Sequence, residues 1–132
     1  MKGLAKILVV DDDDAVRGVL KIVLERAGYR VFAASNGKLA LELVKVQPVD
    51  LVLLDIEMPE MNGFDFCGLL RADPMLRNLP VLMMTGRPIT GVLEKAKAVG
   101  ALELIPKPFD RAVLLEKIKD YLQAVRSPAA ST

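Results

Sequence analysis

The chain has 132 residues, with 18 Lys and Arg against 17 Asp and Glu, a formal net charge of +1, and no histidine. This length suits a single domain, and a hydrophobic fraction of 52% excludes an unfolded polar chain. The lack of histidine excludes Ser-His and Cys-His catalysis, most zinc sites and a phosphohistidine on the chain itself, and the near-neutral charge without a basic block argues against direct contact with nucleic acid.

The N-terminus has a short basic start, but its apolar run meets Asp11 at once and lacks a small-residue cleavage site, so no signal peptide is expected. The run over 6–10 reads as a strand. After it, Val16, Val19, Leu20, Val23, Leu24 and Ala27 recur at helical spacing, with Asp13 or Asp14 to cap the start and Gly28 to take the left-handed position after the end. A second strand over 30–34 is closed by the turn signal Asn36-Gly37, and a helix over 38–46 stops at Pro48, which cannot continue it. The run over 51–54 shows no polar alternation, as expected of a strand covered on both faces. A loop over 56–63 leads into a short helix over 64–71. Pro74 and Pro80 then frame a loop before a strand over 81–84, and a helix over 91–99 ends at Gly100. A fifth strand over 102–105 meets Pro106-Lys107-Pro108, and the last helix carries Leu114, Ile118, Tyr121, Leu122 and Val125 at helical spacing.

Residues 127–132 read as a frayed tail, too short for an output module. The single cysteine, Cys67, leaves no internal disulfide and reads as a small buried hydrophobe. No run approaches the roughly 20 apolar residues that a membrane span needs, so a cytoplasmic protein without membrane contact is expected.

Five βα units with short loops predict an α/β fold, a parallel sheet with helices on both faces. Such sheets bind ligands beyond the carboxyl ends of their strands, where Asp11, Asp12, Asp55, Thr85 and Lys107 all stand. Three carboxylates in one place disfavour each other's ionisation unless a counter-charge is supplied, and Mg²⁺, held by carboxylates and waters, supplies it. One carboxylate then suits nucleophilic attack on an activated phosphoryl group, with Lys107 neutralising the growing charge and Thr85 donating to a phosphoryl oxygen.

The motifs ILVVDDD, LVLLDIEMPEMNG, VLMMTG, the Gly100-Ala101 step and IPKPF resemble, in order and spacing, the receiver domains of two-component response regulators, of which the chemotaxis regulator is the compact type. The likeness spans about 6–125, and LLDIEMPEMNG with a later KPF is its most specific part. It implies a flavodoxin-like, doubly wound five-stranded parallel sheet of order 2-1-3-4-5 with five helices, a receiver domain over 1–126 and a tail over 127–132. It further implies that Asp55 accepts a phosphoryl group from a sensor histidine kinase or phosphotransfer protein. Asp12 would ligate Mg²⁺ directly and Asp11 mainly through water, with Asp55 and the backbone carbonyl of Glu57 completing the set. Thr85 would be the switch hydroxyl and Lys107 the phosphoryl-binding lysine, with a cis peptide at Lys107–Pro108. Glu57 and Arg87 are placed to tune hydrolysis at the mouth and to pair across it.

The function so implied is a signalling switch that catalyses only its own phosphorylation and dephosphorylation and changes a partner-binding face, formed by the last two helices and the fifth strand. The downstream effector is not identified by the sequence, and a monomer or a weak phosphorylation-dependent homodimer is expected. One position departs from the family: where many members carry Tyr or Phe three residues before the lysine, this chain has Leu104.

Plainer readings stand beside these. Asp11 and Asp12 would suit a helix start, but a cap explains one carboxylate and leaves the other; for Asp13 and Asp14 capping is the better reading. Met58 and Met61 belong either to a turn set by Pro59 and Gly63 or to the rim of the site. An alternative from the enzyme class resembles the haloacid dehalogenase phosphatases, with Asp11 and Asp13 as an Asp-x-Asp opening and Thr85 and Lys107 as later motifs; it leaves Asp55 without its natural role. A third reading is a receiver-like scaffold that works without phosphorylation.

Overall fold

The computed structural model describes residues 3–126, with side chains as far as Gln123. The expected tail over 127–132 and the side chain of Val125 lie outside the described residues. The order is β1 (Lys6–Val10), α1 (Asp14–Arg26), β2 (Arg30–Ala34), α2 (Gly37–Val46), β3 (Leu51–Asp55), α3 (Gly63–Ala72), β4 (Val81–Thr85), α4 (Leu93–Ala98), β5 (Glu103–Pro106) and α5 (Arg111–Arg126). All strand pairs are parallel and the order across the sheet is β2-β1-β3-β4-β5, the doubly wound arrangement that the family resemblance implied.

The unbroken apolar strands make sense in this layout. Successive side chains of a strand point to opposite faces, so a strand covered on both sides needs hydrophobic residues throughout. Leu8, Val10, Val52, Leu54, Val81 and Met83 enter the core under α2, α3 and α4, where they meet Ala40, Val44, Phe66 and Leu70. Ile7, Val9, Leu51, Leu53, Leu82 and Met84 enter the other core, against Leu20 and Leu24 of α1 and Leu114, Ile118 and Leu122 of α5. Cys67 is buried in the first of these cores, and burial pushes its thiol pKa up. No helix of the described residues is long and apolar enough to cross a membrane.

Local chemistry sets the helix ends. Asp13, not Asp14, caps α1 by accepting from the Ala15 and Val16 N–H groups at 2.8 and 3.2 Å. Gly28 follows α1 with φ of 97°, as its left-handed role requires. Asn36-Gly37 is a helix start rather than a free turn, because the Asn36 side chain accepts from the Leu39 N–H at 2.8 Å and Gly37 is already helical.

Three expectations change. Val19 is 51% exposed and Ala27 is exposed at the C-cap of α1, so the buried stripe narrows to Leu20 and Leu24 with Val16 and Val23 at its edges. The helix expected over 91–99 is instead a 3₁₀ turn, Ile89–Gly91, followed by the six-residue α4. Neither piece has a side-chain cap, and Gly91 is a poor helix former at the junction. The fifth strand begins at Glu103, with Leu102 outside it and partly exposed, and runs on to Pro106.

One arginine ties the lower edge of the α3 and α4 side together. The Arg71 guanidinium donates to four carbonyls: Val99 at 3.1 Å, Gly100 at 3.1 Å, Arg77 at 2.8 Å and Leu79 at 2.9 Å. It thus joins the C-terminal end of α4 to the loop between α3 and β4. Arg71→Met is expected to lower unfolding free energy by about 2–3 kcal/mol in urea titration, since several part-buried carbonyls lose a charged donor. Arg71→Lys is expected to recover only part of this, because one ammonium cannot reproduce the planar fork.

Candidate functional site

Parallel register carries the polar ends of four strands to one level. Val10 pairs with Leu54, Asp55 with Met84 and Thr85 with Pro106, so Asp11, Asp55, Thr85 and Lys107 emerge side by side at the carboxyl edge. The site opens where β1 has β2 on one side and β3 on the other, the switch point at which such sheets leave a crevice.

Lys107 is the bridge. Its Nζ donates to Asp11 Oδ2 at 3.2 Å and lies 3.1 Å from Asp55 Oδ1, and both carboxylates are buried. The Lys107 N–H donates to the Thr85 carbonyl at 2.7 Å, and the Lys107–Pro108 peptide is cis, as the resemblance implied. Asp11 Oδ1 accepts from the Asp13 N–H at 2.9 Å, and Asp55 Oδ1 accepts from the Glu57 N–H at 3.3 Å. Asp12 is exposed, and its carboxylate closes a trio with Asp11 and Asp55 whose ligand atoms all lie within 4.8 Å of one another.

The loop after Asp55 passes very close to α3. A Cβ on Gly63 would stand 2.8 Å from the Asp55 carbonyl oxygen and 2.9 Å from the Ile56 Cα, so only glycine lets this helix start against the end of β3. Met58 is buried and Met61 packs on the same core, over Gly37; both methionines serve the core rather than the rim.

Thr85 is buried, and its hydroxyl donates to Glu57 Oε2 at 2.8 Å while accepting from the Arg87 N–H at 3.0 Å. Glu57 Oε1 accepts from the Gly86 N–H at 3.0 Å. Sequence reasoning expected Glu57 and Arg87 to pair through their side chains. Among the described residues the Glu57 carboxylate instead goes to Thr85 and Gly86, because the end of β4 presents two donors directly to it. Arg17 was also missed: it donates to the Asp11 carbonyl at 2.7 Å and pairs with Asp14, steadying the backbone beneath the acidic trio. Asp14 and Arg17 at i,i+3 were the signal for it.

Asp13 is committed to capping α1, apart from the trio, which removes the second carboxylate of the phosphatase alternative.

The electrostatics follow from burial. Asp55 is pushed up to about 6, first by desolvation and then by the Asp11 charge, with a smaller push from Glu57 and an opposing pull from Lys107. Burial draws the Lys107 ammonium down, but hydrogen bonds and charges from Asp55 and Asp11 outweigh it and the net shift is upward. Three carboxylates against one ammonium leave an excess of two negative charges when all are ionised, the charge of one divalent cation. An all-oxygen donor set with one exposed member suits a hard cation that keeps part of its water.

Comparison with known proteins places this arrangement. The response regulator receiver domain family matches residues 7–119. The chain belongs to that family. As a receiver domain it is similar to the sporulation initiation phosphotransferase F of Bacillus subtilis, with 38% identity over 89% of this chain and 93% of the relative. It is 39% identical to part of the CAI-1 autoinducer sensor kinase/phosphatase CqsS of Vibrio cholerae, over 86% of this chain but 17% of that protein. The chain spans about half the length of several transcriptional regulators that it also matches. Among solved structures, the chemotaxis protein CheY4 of Vibrio cholerae superposes with a TM-score of 0.85 at 33% identity, covering 90% of this chain and 99% of that one. The chain is therefore a phosphorylation-dependent signalling domain of two-component systems, and receiver domains bind Mg²⁺ at an acidic pocket of this kind.

The raised Asp55 pKa has a consequence for stability without metal. A group whose folded pKa exceeds its unfolded value favours the folded state most when protonated, so this contribution is complete below about pH 4 and is lost as pH rises through about 6. Asp55→Asn is expected to stabilise the metal-free domain at pH 7.5 by about 1–2 kcal/mol and to flatten this part of the pH profile, as read by thermal melts in EDTA.

Proposed function

We propose that Asp55 is the phosphoryl acceptor of this receiver domain, that Asp11, Asp12, Asp55 and the Glu57 backbone carbonyl hold Mg²⁺, and that Lys107 and Thr85 are the phosphoryl-binding groups. The observation that carries this reading is the Lys107 ammonium held between two buried carboxylates, with the Thr85 hydroxyl at the end of the neighbouring strand. A part-buried lysine fixed in that position meets developing negative charge without reorganising. The Glu57 carbonyl accepts no hydrogen bond among the described residues, which leaves it available as a ligand.

In the transfer, an Asp55 carboxylate oxygen bonds to phosphorus as the bond from phosphorus to the leaving nitrogen or oxygen breaks. The electron pair departs with the leaving group, imidazole from a phosphohistidine or acetate from acetyl phosphate. Lys107 stays on the acceptor side and offsets the phosphoryl charge, and Thr85 donates its proton to a phosphoryl oxygen. Mg²⁺ held by Asp11, Asp12, Asp55 and the Glu57 carbonyl would supply positive charge to offset the carboxylates and the incoming phosphoryl group. The reaction turns over only the domain's own aspartate, so the domain acts as a switch and not as an enzyme on a separate substrate.

These 132 residues carry no histidine, so the donor imidazole comes from outside them. A groove of about 570 Å³ lies beside Lys107, lined by Ala15, Val16, Val19, Val23, Pro108 and Phe109. The half-exposed Val19 and Ile22 extend this apolar strip along α1. Its continuity with the site supports docking of the histidine kinase or phosphotransfer protein there, with the phosphohistidine reaching Asp55 past Lys107.

Incubation with Mg²⁺ and acetyl phosphate, followed by intact-mass measurement, tests the acceptor. Wild type is expected to gain one phosphoryl group and Asp55→Ala none; no gain in wild type with metal binding intact would favour a scaffold role. Mg²⁺ is expected to raise the wild-type melting temperature more at pH 8 than at pH 5.5, where protonated Asp55 competes with the metal, and Asp12→Ala is expected to lose most of this shift.

A further inference from the structure

The Thr85 hydroxyl carries one proton, and that proton is given to Glu57. A threonine hydroxyl donates once and accepts through its lone pairs. Here the donation goes to Glu57 Oε2 at 2.8 Å, and the Arg87 N–H occupies an accepting position at 3.0 Å. The other Glu57 oxygen takes the Gly86 N–H at 3.0 Å. One carboxylate therefore grips both the last residue of β4 and the first residue of the loop beyond it.

We propose that the Glu57 side chain is a latch on the unphosphorylated state, competing with the phosphoryl group for the single Thr85 proton. The inference rests on the reading above, in which Asp55 takes the phosphoryl group and Thr85 donates to it. Two anions cannot share one buried O–H donor. For Thr85 to turn to a phosphoryl oxygen, its bond to Glu57 must break, and the Gly86 N–H then loses the partner that fixes its peptide.

The local structure makes that release consequential. Beyond Gly86 come Arg87, Pro88 and the 3₁₀ turn Ile89–Gly91, and neither this turn nor α4 has a side-chain cap of its own. The far end of α4 is fastened by Arg71 to Val99 and Gly100. With Glu57 holding one end and Arg71 the other, loss of the Glu57 contacts frees the β4–α4 connection while the C-terminal end of α4 stays anchored. The latch thus makes Glu57 a positioning residue. It is joined to Asp55 through its own backbone, since the Glu57 N–H donates to Asp55 Oδ1.

A second way for Glu57 to act is simple repulsion of an anionic phosphodonor, and the test separates the two. Phosphorylated fraction at limiting acetyl phosphate is measured in a double-mutant cycle of Glu57→Ala and Thr85→Val, alongside the Gly86 amide resonance in unphosphorylated protein. If the latch operates, Glu57→Ala raises the phosphorylation equilibrium by roughly tenfold, the scale of a charge-assisted hydrogen bond. That gain collapses towards unity in the Thr85→Val background, where no proton is contested. Glu57→Gln, which keeps an acceptor, falls between wild type and Glu57→Ala. The Gly86 amide proton moves upfield in Glu57→Ala, as expected when a hydrogen bond to a carboxylate is lost.

An equal gain in the presence and absence of the Thr85 hydroxyl, with Glu57→Gln matching Glu57→Ala, would overturn the latch in favour of charge alone. An unmoved Gly86 amide would also overturn it. Unchanged mass gain in Asp55→Ala would instead sink the assignment of Asp55, and the Gly86 resonance still judges the Glu57 contacts because it needs no phosphorylation.

Discussion

Everything at the carboxyl edge depends on the burial of Asp11 and Asp55 against a single ammonium. Two carboxylates withdrawn from water beside each other cost folding energy, and Lys107 repays only part of it, which is why Asp55 remains raised to about 6 despite its contact with Lys107. The strands tolerate this because hydrophobic residues fill both cores beneath, so the polar ends ride on a frame whose stability comes from elsewhere. A site that is incompletely neutralised has the charge to accept a divalent cation, in keeping with the acidic pocket of receiver domains.

Much of this was legible in the chain because the period of the sequence matches the geometry of the sheet. Runs of apolar residues without alternation mark strands covered on both faces, and each run's end locates a residue at the same edge, so Asp11, Asp55, Thr85 and Lys107 were found together. Less legible were features set by side-chain direction rather than by spacing. Val19 has the helical spacing of a core residue yet lies half-exposed, since the buried stripe of α1 is centred on Leu20 and Leu24. Glu57 was placed at the mouth of the site, but its commitment to Thr85 and Gly86 depends on how a loop folds back over the end of β4. Arg71 gave no sequence signal at all, because its partners are backbone carbonyls from residues 77 to 100. The split between the 3₁₀ turn and α4 was hidden for a related reason: apolar spacing says which residues face the core, not where uncapped helical turns join.

The two sides of the sheet are held differently. Between α5 and β5, Lys117 pairs with Glu103 at 2.9 Å, and the Tyr121 hydroxyl donates to Glu103 at 2.7 Å and lies 3.1 Å from the Leu102 carbonyl. Burial works to raise Glu103, but these partners prevail and hold its carboxyl below the usual range, so the network is in place at neutral pH. This clamp fixes β5 to α5 and leaves the neighbouring β4–α4 connection as the less restrained element of that face. Under the latch proposed above, release at Glu57 would therefore act on the short helix rather than on the whole edge.

Leu104 bears on how such motion reaches the surface. It is half-buried on β5 and packs against the core shared with α4, opposite Met83 in the sheet register. An aromatic ring at that position has two distinct places to lie, one inside and one outside, and a hydroxyl in the case of tyrosine. Leucine has neither a long flat surface nor a polar end, and its repacking costs and gains less than that of a ring. On the latch proposed above, the change of state is expressed through the backbone that follows Thr85, where Gly86 begins an uncapped segment ending in a helix fastened at its far end. The latch would thus place the switch at a hinge between two polar holds, one at Glu57 and one at Arg71, rather than in the rotation of a single side chain.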